Sequence, residues 1–122
     1  MKLEEFEKNF FNQLEVNNKH FDKAYFEGEW RKEKMSYSLK SRRIIEGDNP
    51  KNIINFFSPN KAIDVGCGPG SLVALLKEND FHNCDGIDIS EDAISDAPLN
   101  IKDRLLVGDS TKMDIKDDIY DL

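Results

Sequence analysis

Ala62-Ile63-Asp64-Val65-Gly66-Cys67-Gly68-Pro69-Gly70-Ser71-Leu72-Val73-Ala74-Leu75-Leu76 is the stretch that decides the fold. A short β-branched run (Ile63, Val65) enters a glycine-rich turn (Gly66, Gly68, Gly70). An apolar helical pattern (Leu72, Val73, Leu75, Leu76) follows directly. Strand, glycine turn and helix in that order form the ligand-binding corner of a doubly wound α/β domain. Without a Cβ, glycine lets the backbone turn sharply and lets a ligand lie against it. The open helix N-terminus beyond the turn offers unpaired N–H groups and partial positive charge to an anionic group.

Spacing narrows the ligand. The dinucleotide fingerprint G-x-G-x-x-G needs glycine at 71, where Ser71 stands. The chain instead reads Asp64-x-Gly66-x-Gly68-x-Gly70, with an acid two positions before the first glycine. A second acid, Asp88, lies in the next strand-like run, Gly86-Ile87-Asp88-Ile89-Ser90. A third, Asp109, ends Leu105-Leu106-Val107-Gly108-Asp109. A carboxylate at the tip of the second strand is placed to accept from both ribose hydroxyls. Three acids at successive strand tips around one glycine turn describe a crevice for a nucleoside without phosphates. That much negative charge repels pyrophosphate and tolerates a sulfonium. Singly, each feature has a plainer reading: a tight corner, a Ser90 helix cap supported by Glu91 and Asp92, and a turn at Asp109-Ser110.

In this ordered set the chain resembles class I S-adenosylmethionine-dependent methyltransferases. Ile63-Asp64-Val65-Gly66-Cys67-Gly68-Pro69-Gly70 is similar to the family's first motif, and Gly86-Ile87-Asp88-Ile89-Ser90 to its ribose-binding strand. Val107-Gly108-Asp109-Ser110 resembles the adenine-contacting segment, and Ile119-Tyr120-Asp121-Leu122 the opening of the fourth strand. The segment from Tyr25 to Arg43 also resembles the N-terminal region of bacterial methyltransferases acting on sugars or small molecules. The resemblance implies a Rossmann-like, mainly parallel sheet, of which this chain holds about four strands of an order 3-2-1-4-5-7-6. It implies that the Gly66–Gly70 backbone, with the small side chain of Cys67 in the turn, borders the methionine part of the cofactor, S-adenosylmethionine. Asp64 then orients the loop and the amino group. Asp88 holds the ribose hydroxyls, Ile89 lies against the adenine, and Asp109, with the Ser110 N–H nearby, receives the adenine amino group.

The chain stops inside the expected fourth strand, so the cofactor half is present and the catalytic half is expected to be missing, as in a truncated methyltransferase. Strand 4 is then a bare edge, a candidate route to homo-oligomers. Its 122 residues divide into an N-terminal helical cap region, 1–60, and a partial cofactor-binding domain, 61–122. Residues 1–60 carry 11 basic and 10 acidic side chains and residues 61–122 carry 6 and 14, together giving a net charge of −7. So acidic a second half repels a phosphate backbone, which disfavours nucleic acid as partner. No apolar run reaches membrane-spanning length and the acidic, amphipathic N-terminus is no signal peptide, so the expectation is a cytoplasmic protein. The two cysteines show no metal spacing.

The first sixty residues read as helices. Leu3, Phe6, Phe10 and Leu14 form an amphipathic stripe. A second helix is expected over Ser36–Glu46, closed by Gly47. A third is expected from an Asn49 N-cap and Pro50, with Ile53, Ile54 and Phe57 inward. Tyr25, Trp30 and Tyr37 are lid candidates. Arg42, in the one basic concentration, is a candidate contact for an anionic small-molecule substrate, against the plainer reading of that concentration as a solvated helix face balanced by Glu29, Glu33 and Glu46. No general base can be named. His20 is read as solvated, and His82 sits at the far end of the sheet. Two functions follow from the resemblance. One is a methyltransferase acting on a small molecule; the other is an inactive methyltransferase-like module that binds the cofactor or a completing partner.

Overall fold

Ala62–Val65, Cys84–Asp88 and Leu105–Val107 form strands β1, β2 and β3 of one parallel sheet, in the order β1-β2-β3. Ala62 pairs with Cys84 and Val65 with Ile87; on the other side of β2, Gly86 pairs with Leu105 and Asp88 with Val107. The computed structural model describes residues 39–116 and 118–122. The expected stripe of Leu3, Phe6, Phe10 and Leu14, together with His20, Tyr25, Trp30 and Tyr37, lies outside them. Helices α1 (Leu39–Glu46) and α2 (Asn49–Phe57) precede the sheet. Helix α3 (Ser71–Glu78) joins β1 to β2, and the short α4 (Glu91–Ser95) leads toward β3.

The core lies where α3 crosses the sheet. Val73, Ala74 and Leu76 of α3 close on Ala62, Cys84 and Ile101, and Leu39, Ile53, Ile54, Leu72, Phe81 and Leu105 pack around them. Burying a leucine or valine of this kind contributes about 1.5–3 kcal/mol. The same packing anchors the start of α3, and with it the glycine turn that feeds the helix.

Several expectations change in detail. Gly47 does close α1, with a left-handed φ of +50° and its N–H on the Arg43 carbonyl at 3.3 Å. Asn49 is not the cap of α2. Asp48 holds that position without a side-chain bond, Asn49 is already helical, and its amide donates to Glu46 at 3.3 Å. Phe57 does not face inward: it is 57% exposed, because the helix ends there and Ser58 turns left-handed at φ 44°. Phe57 instead meets Phe56 edge to face at 4.9 Å. The second strand ends at Asp88, so Ser90 serves as the N-cap of α4 and accepts from the Ala93 N–H at 3.2 Å. The third strand ends at Val107, and Asp109 caps a single 3₁₀ turn, Ser110–Lys112.

Residues 121 and 122 run beside β1 on the edge away from β2. The Asp121 N–H donates to the Lys61 carbonyl and the Ile63 N–H to the Leu122 carbonyl, each at 2.9 Å. These bonds continue the ladder where the sequence places a fourth strand, although no fourth strand is formed among the described residues. The Asp121 carboxylate reinforces them by accepting from the Asn60 and Lys61 backbone N–H groups at 2.9–3.1 Å.

Candidate cofactor site

The glycine turn is held from beneath by β2. The Gly66 and Cys67 N–H groups both donate to the Ile87 carbonyl, at 2.8 and 3.0 Å, and the Gly70 N–H donates to the Cys67 carbonyl at 3.0 Å. Gly66, Gly68 and Gly70 all adopt left-handed φ values, +78°, +57° and +78°. The space around them differs. A Cβ on Gly66 would meet nothing within 4 Å, so the rim of the turn is open. A Cβ on Gly70 would lie 2.7 Å from the Ile101 and Leu105 methyl groups, so glycine there serves packing beneath the turn. The first backbone bond of α3 runs from Ala74 N–H to the Gly70 carbonyl at 2.9 Å, which leaves the amides of the first helical turn outside the ladder.

Asp64, Asp88 and Asp109 stand at or just past the C-terminal ends of β1, β2 and β3, the end of a parallel sheet where ligands bind. Asp88 is only 9% exposed. One of its oxygens accepts the Gly68 N–H and the other the Ser90 N–H, both at 2.8 Å. It therefore fastens the glycine turn to the start of α4, a role its spacing did not disclose. Each oxygen keeps a second acceptor position. Ile89 follows it half-buried, and Ser110 is exposed beside Asp109.

Asp109 accepts from both the N–H (2.9 Å) and the hydroxyl (2.6 Å) of Thr111 through one oxygen. The Lys112 ammonium is 3.7 Å from the other. The Thr111 hydroxyl above all, then its N–H, holds the Asp109 carboxyl below the usual carboxylate range. Asp64 behaves in the opposite way. Burial raises its pKa, the Arg42 charge opposes the rise, and Asp88 and Glu46 add to it. No described residue donates a hydrogen bond to its carboxylate. A half-buried acid with an open acceptor, next to an open glycine rim, suits a cationic group. Cys67 contributes bulk rather than reactivity: burial pushes its thiol up to about 12, and Cys84 is held equally high.

Of the four substrate or lid candidates, Arg42 falls within the described residues. It forms an ion pair with Glu46 one helical turn on, one of the three counter-charges in the plainer reading, and the pair is part-buried: the side chains are 28% and 14% exposed. Glu46, which in the sequence reads only as a counter-charge, also acts on Asp64, where its negative charge adds to the rise in pKa. No group of histidine, cysteine and carboxylate side chains among the described residues could hold a metal ion. His82 is exposed in the turn that precedes β2, at the opposite end of the sheet from the glycine turn.

Residues 57–122 match the family model described as a methyltransferase domain. Crystal structures of the plantazolicin methyltransferase BpumL are similar to the chain. One, with a monoazolic desmethylPZN analog and SAH, has 25% identity over 77% of this chain and 42% of that one, at a TM-score of 0.47. Another, with a pentazolic analog and SAH, has 24% identity over 80% and 43%, also at 0.47. The chain thus spans about two-fifths of the length of these structures. No match to a curated protein was found. The family match covers more than half of the chain and includes the glycine turn and all three strand-tip acids: the chain belongs to the methyltransferase-domain family.

Proposed function

We propose that this chain is the cofactor-binding portion of an S-adenosylmethionine-dependent methyltransferase whose acceptor is a small molecule. The observation that supports the reading is the position of Asp64, Asp88 and Asp109 at or just past the C-terminal ends of three adjacent parallel strands, the end that also carries the glycine turn, in a chain of this family. The residues present suit S-adenosylmethionine better than a dinucleotide, because the acids around the turn repel a pyrophosphate. Bound there, the cofactor supplies an electrophilic methyl group on a positively charged sulfur. The chain's own residues hold and orient. Asp88 takes the ribose hydroxyls through its remaining acceptor positions while keeping the turn in place. Asp109 takes the adenine amino group through the oxygen not used by Thr111, with Ile89 against the ring. Asp64 takes the ammonium of the methionine end. Positioning of this kind is the main catalytic contribution where the leaving group is already good.

An acceptor of small size is supported by the acidic second half, which opposes a nucleic-acid backbone. Among the described residues no helix is long and apolar enough to cross a membrane. Calorimetric titration with S-adenosylmethionine, S-adenosylhomocysteine and NAD tests the cofactor. Binding of the first two with a Kd on the order of micromolar, and none of NAD, is expected. Tighter binding of NAD, or no heat with either sulfur ligand, overturns the assignment.

A further inference from the structure

Helix α1 is turned inside out in polarity. Ile44 and Ile45 are 77% and 45% exposed, while its inward stripe is Leu39, Arg42 and Glu46, at spacings of three and four residues. Two contacts fix this rotation. Leu39 packs against the core cluster that contains Ala62, and Arg43, about 100° around the helix from Arg42, is bound to Glu78 of α3 at 2.5 and 3.2 Å. The outward face therefore carries the two isoleucines and, one turn before Ile44, the exposed Lys40. It carries no acid, because the single carboxylate of α1, Glu46, faces inward. Lys40 has no acidic partner among the described residues. Leaving Ile44 in water forgoes the roughly 1.5–3 kcal/mol that a buried isoleucine contributes, so this face gains from a cover.

The chain itself supplies a matching surface. Residues 1–38 lie outside the described residues and run directly into Leu39, the first residue of α1. Within them Leu3, Phe6, Phe10 and Leu14 repeat at helical spacing. Residues 1–16 hold four glutamates against two lysines, and at about 100° per residue Glu4 and Glu7 flank the stripe. An apolar stripe with acidic flanks and an apolar face with a lysine and no acid are complementary in both hydrophobicity and charge. The connection also reaches: 24 residues separate Leu14 from Leu39. Extended, they span about 80 Å, against about 12 Å for the length of α1. We propose that residues 3–14 dock on the outward face of α1, with the stripe over Ile44 and Ile45 and with Glu4 and Glu7 toward Lys40. So placed, they form an outer layer on the side of α1 away from the sheet rather than a lid over the glycine turn. The inference stands independently of the cofactor assignment.

The test reads thiol reactivity in the whole chain. Ile44→Cys is labelled with a maleimide beside Leu99→Cys, a position whose own side chain is 87% exposed. The native Cys67 and Cys84 are buried, and their silence reports that the core stays folded. Ile44→Cys is expected to react at least about tenfold more slowly than Leu99→Cys, and Phe6→Asp with Phe10→Asp is expected to bring it up to the Leu99→Cys rate. Phe10→Ser, a milder break of the stripe, is expected to raise the rate part-way with Cys67 and Cys84 still unlabelled. Equal rates at the two sites with the stripe intact overturn the inference. So does protection of Ile44→Cys that survives both stripe variants. Protection that is lost on dilution overturns it too, because it assigns the face to a second copy of the chain.

Discussion

Gly66 and Gly70 share a backbone angle and differ in what surrounds them. Alanine at 66 meets open space, so its cost is the left-handed strain alone, about 1–2 kcal/mol. Alanine at 70 adds a collision with Ile101 and Leu105 at 2.7 Å, and overpacking of this kind costs a further 1–3 kcal/mol, roughly. Urea unfolding is expected to rank Gly70→Ala well below Gly66→Ala, while ligand titration reverses the order relative to stability, because position 66 lines the rim. Equal stabilities for the two variants would falsify the division of labour within the turn. Asp64 makes a second prediction. Its pKa is raised in the fold, so the folded state holds its proton more tightly than the unfolded chain. Stability from this group is full below the ordinary value of 3.8 and declines as pH rises through the raised one. Asp64→Asn is expected to flatten that decline, making the ligand-free protein more stable at pH 7 than the parent. The same variant is expected to bind S-adenosylhomocysteine more weakly by about 1–3 kcal/mol. Thermal melts from pH 4 to 8 with no change of slope between the two proteins would refute it.

At the scale of elements, Asp88 joins three pieces of structure: the end of β2, the glycine turn and the N-terminus of α4. Asp88→Ala leaves the Gly68 and Ser90 N–H groups without their acceptor, and each buried loss costs about 1–3 kcal/mol. Asp88→Asn retains an acceptor for one of them and turns a donor toward the other. The asparagine variant is therefore expected to unfold between the parent and the alanine variant, with amide exchange at Gly68 and Ser90 accelerated in both. Exchange rates unaffected in the alanine variant would mean that the staple carries no load. The acid itself was legible in the sequence, since the interval from the turn to the end of the second strand is set by one crossover helix. Its bonds to the turn were not legible, because they depend on how closely Gly68 approaches a strand twenty residues away. Helix α1 shows the same limit. Its end at Glu46 and its Gly47 stop were readable from local chemistry, while its expected start at Ser36 lies outside the described residues; its rotation is fixed by the Arg43–Glu78 pair, 35 residues apart in sequence. Leu39 and the two isoleucines alone do not reveal which side faces in. Phe57 was misplaced for a related reason: the periodic pattern continues to it, and the helix does not.

Across the whole molecule the two ends of the sheet do different work. The C-terminal end carries the open turn and the acids. The opposite end is closed by a polar hub on Asp85, whose carboxylate receives the Arg104 guanidinium at 2.9 Å, the Tyr120 hydroxyl at 2.8 Å and the Lys61 ammonium at 3.4 Å. Lys61 also lies over the Tyr120 ring, 5.0 Å from its centre. Four segments meet there: the entry to β1, β2, the turn before β3, and the run beside β1 that ends at Leu122. Tyr120 and Asp121 are neighbours, yet they grip different partners, one through Asp85 and the other through the Asn60 and Lys61 backbone. Tyr120→Phe removes one bond to a carboxylate that keeps two cations, so its cost is small, about 0.5–1.5 kcal/mol. Asp85→Asn takes the negative charge from both cations at once and is expected to cost more, with the loss shrinking in high salt because Arg104 and Lys61 are about one-third exposed. Chemical denaturation of Tyr120→Phe, Asp85→Asn and the double variant closes the comparison. If the hub works as one unit, the double variant is less destabilised than the sum of the two, because removing the Tyr120 hydroxyl costs little once the carboxylate it served is gone. Strict additivity would show instead that the run beside β1 is held by Asp121 and its backbone bonds alone, independently of the hub.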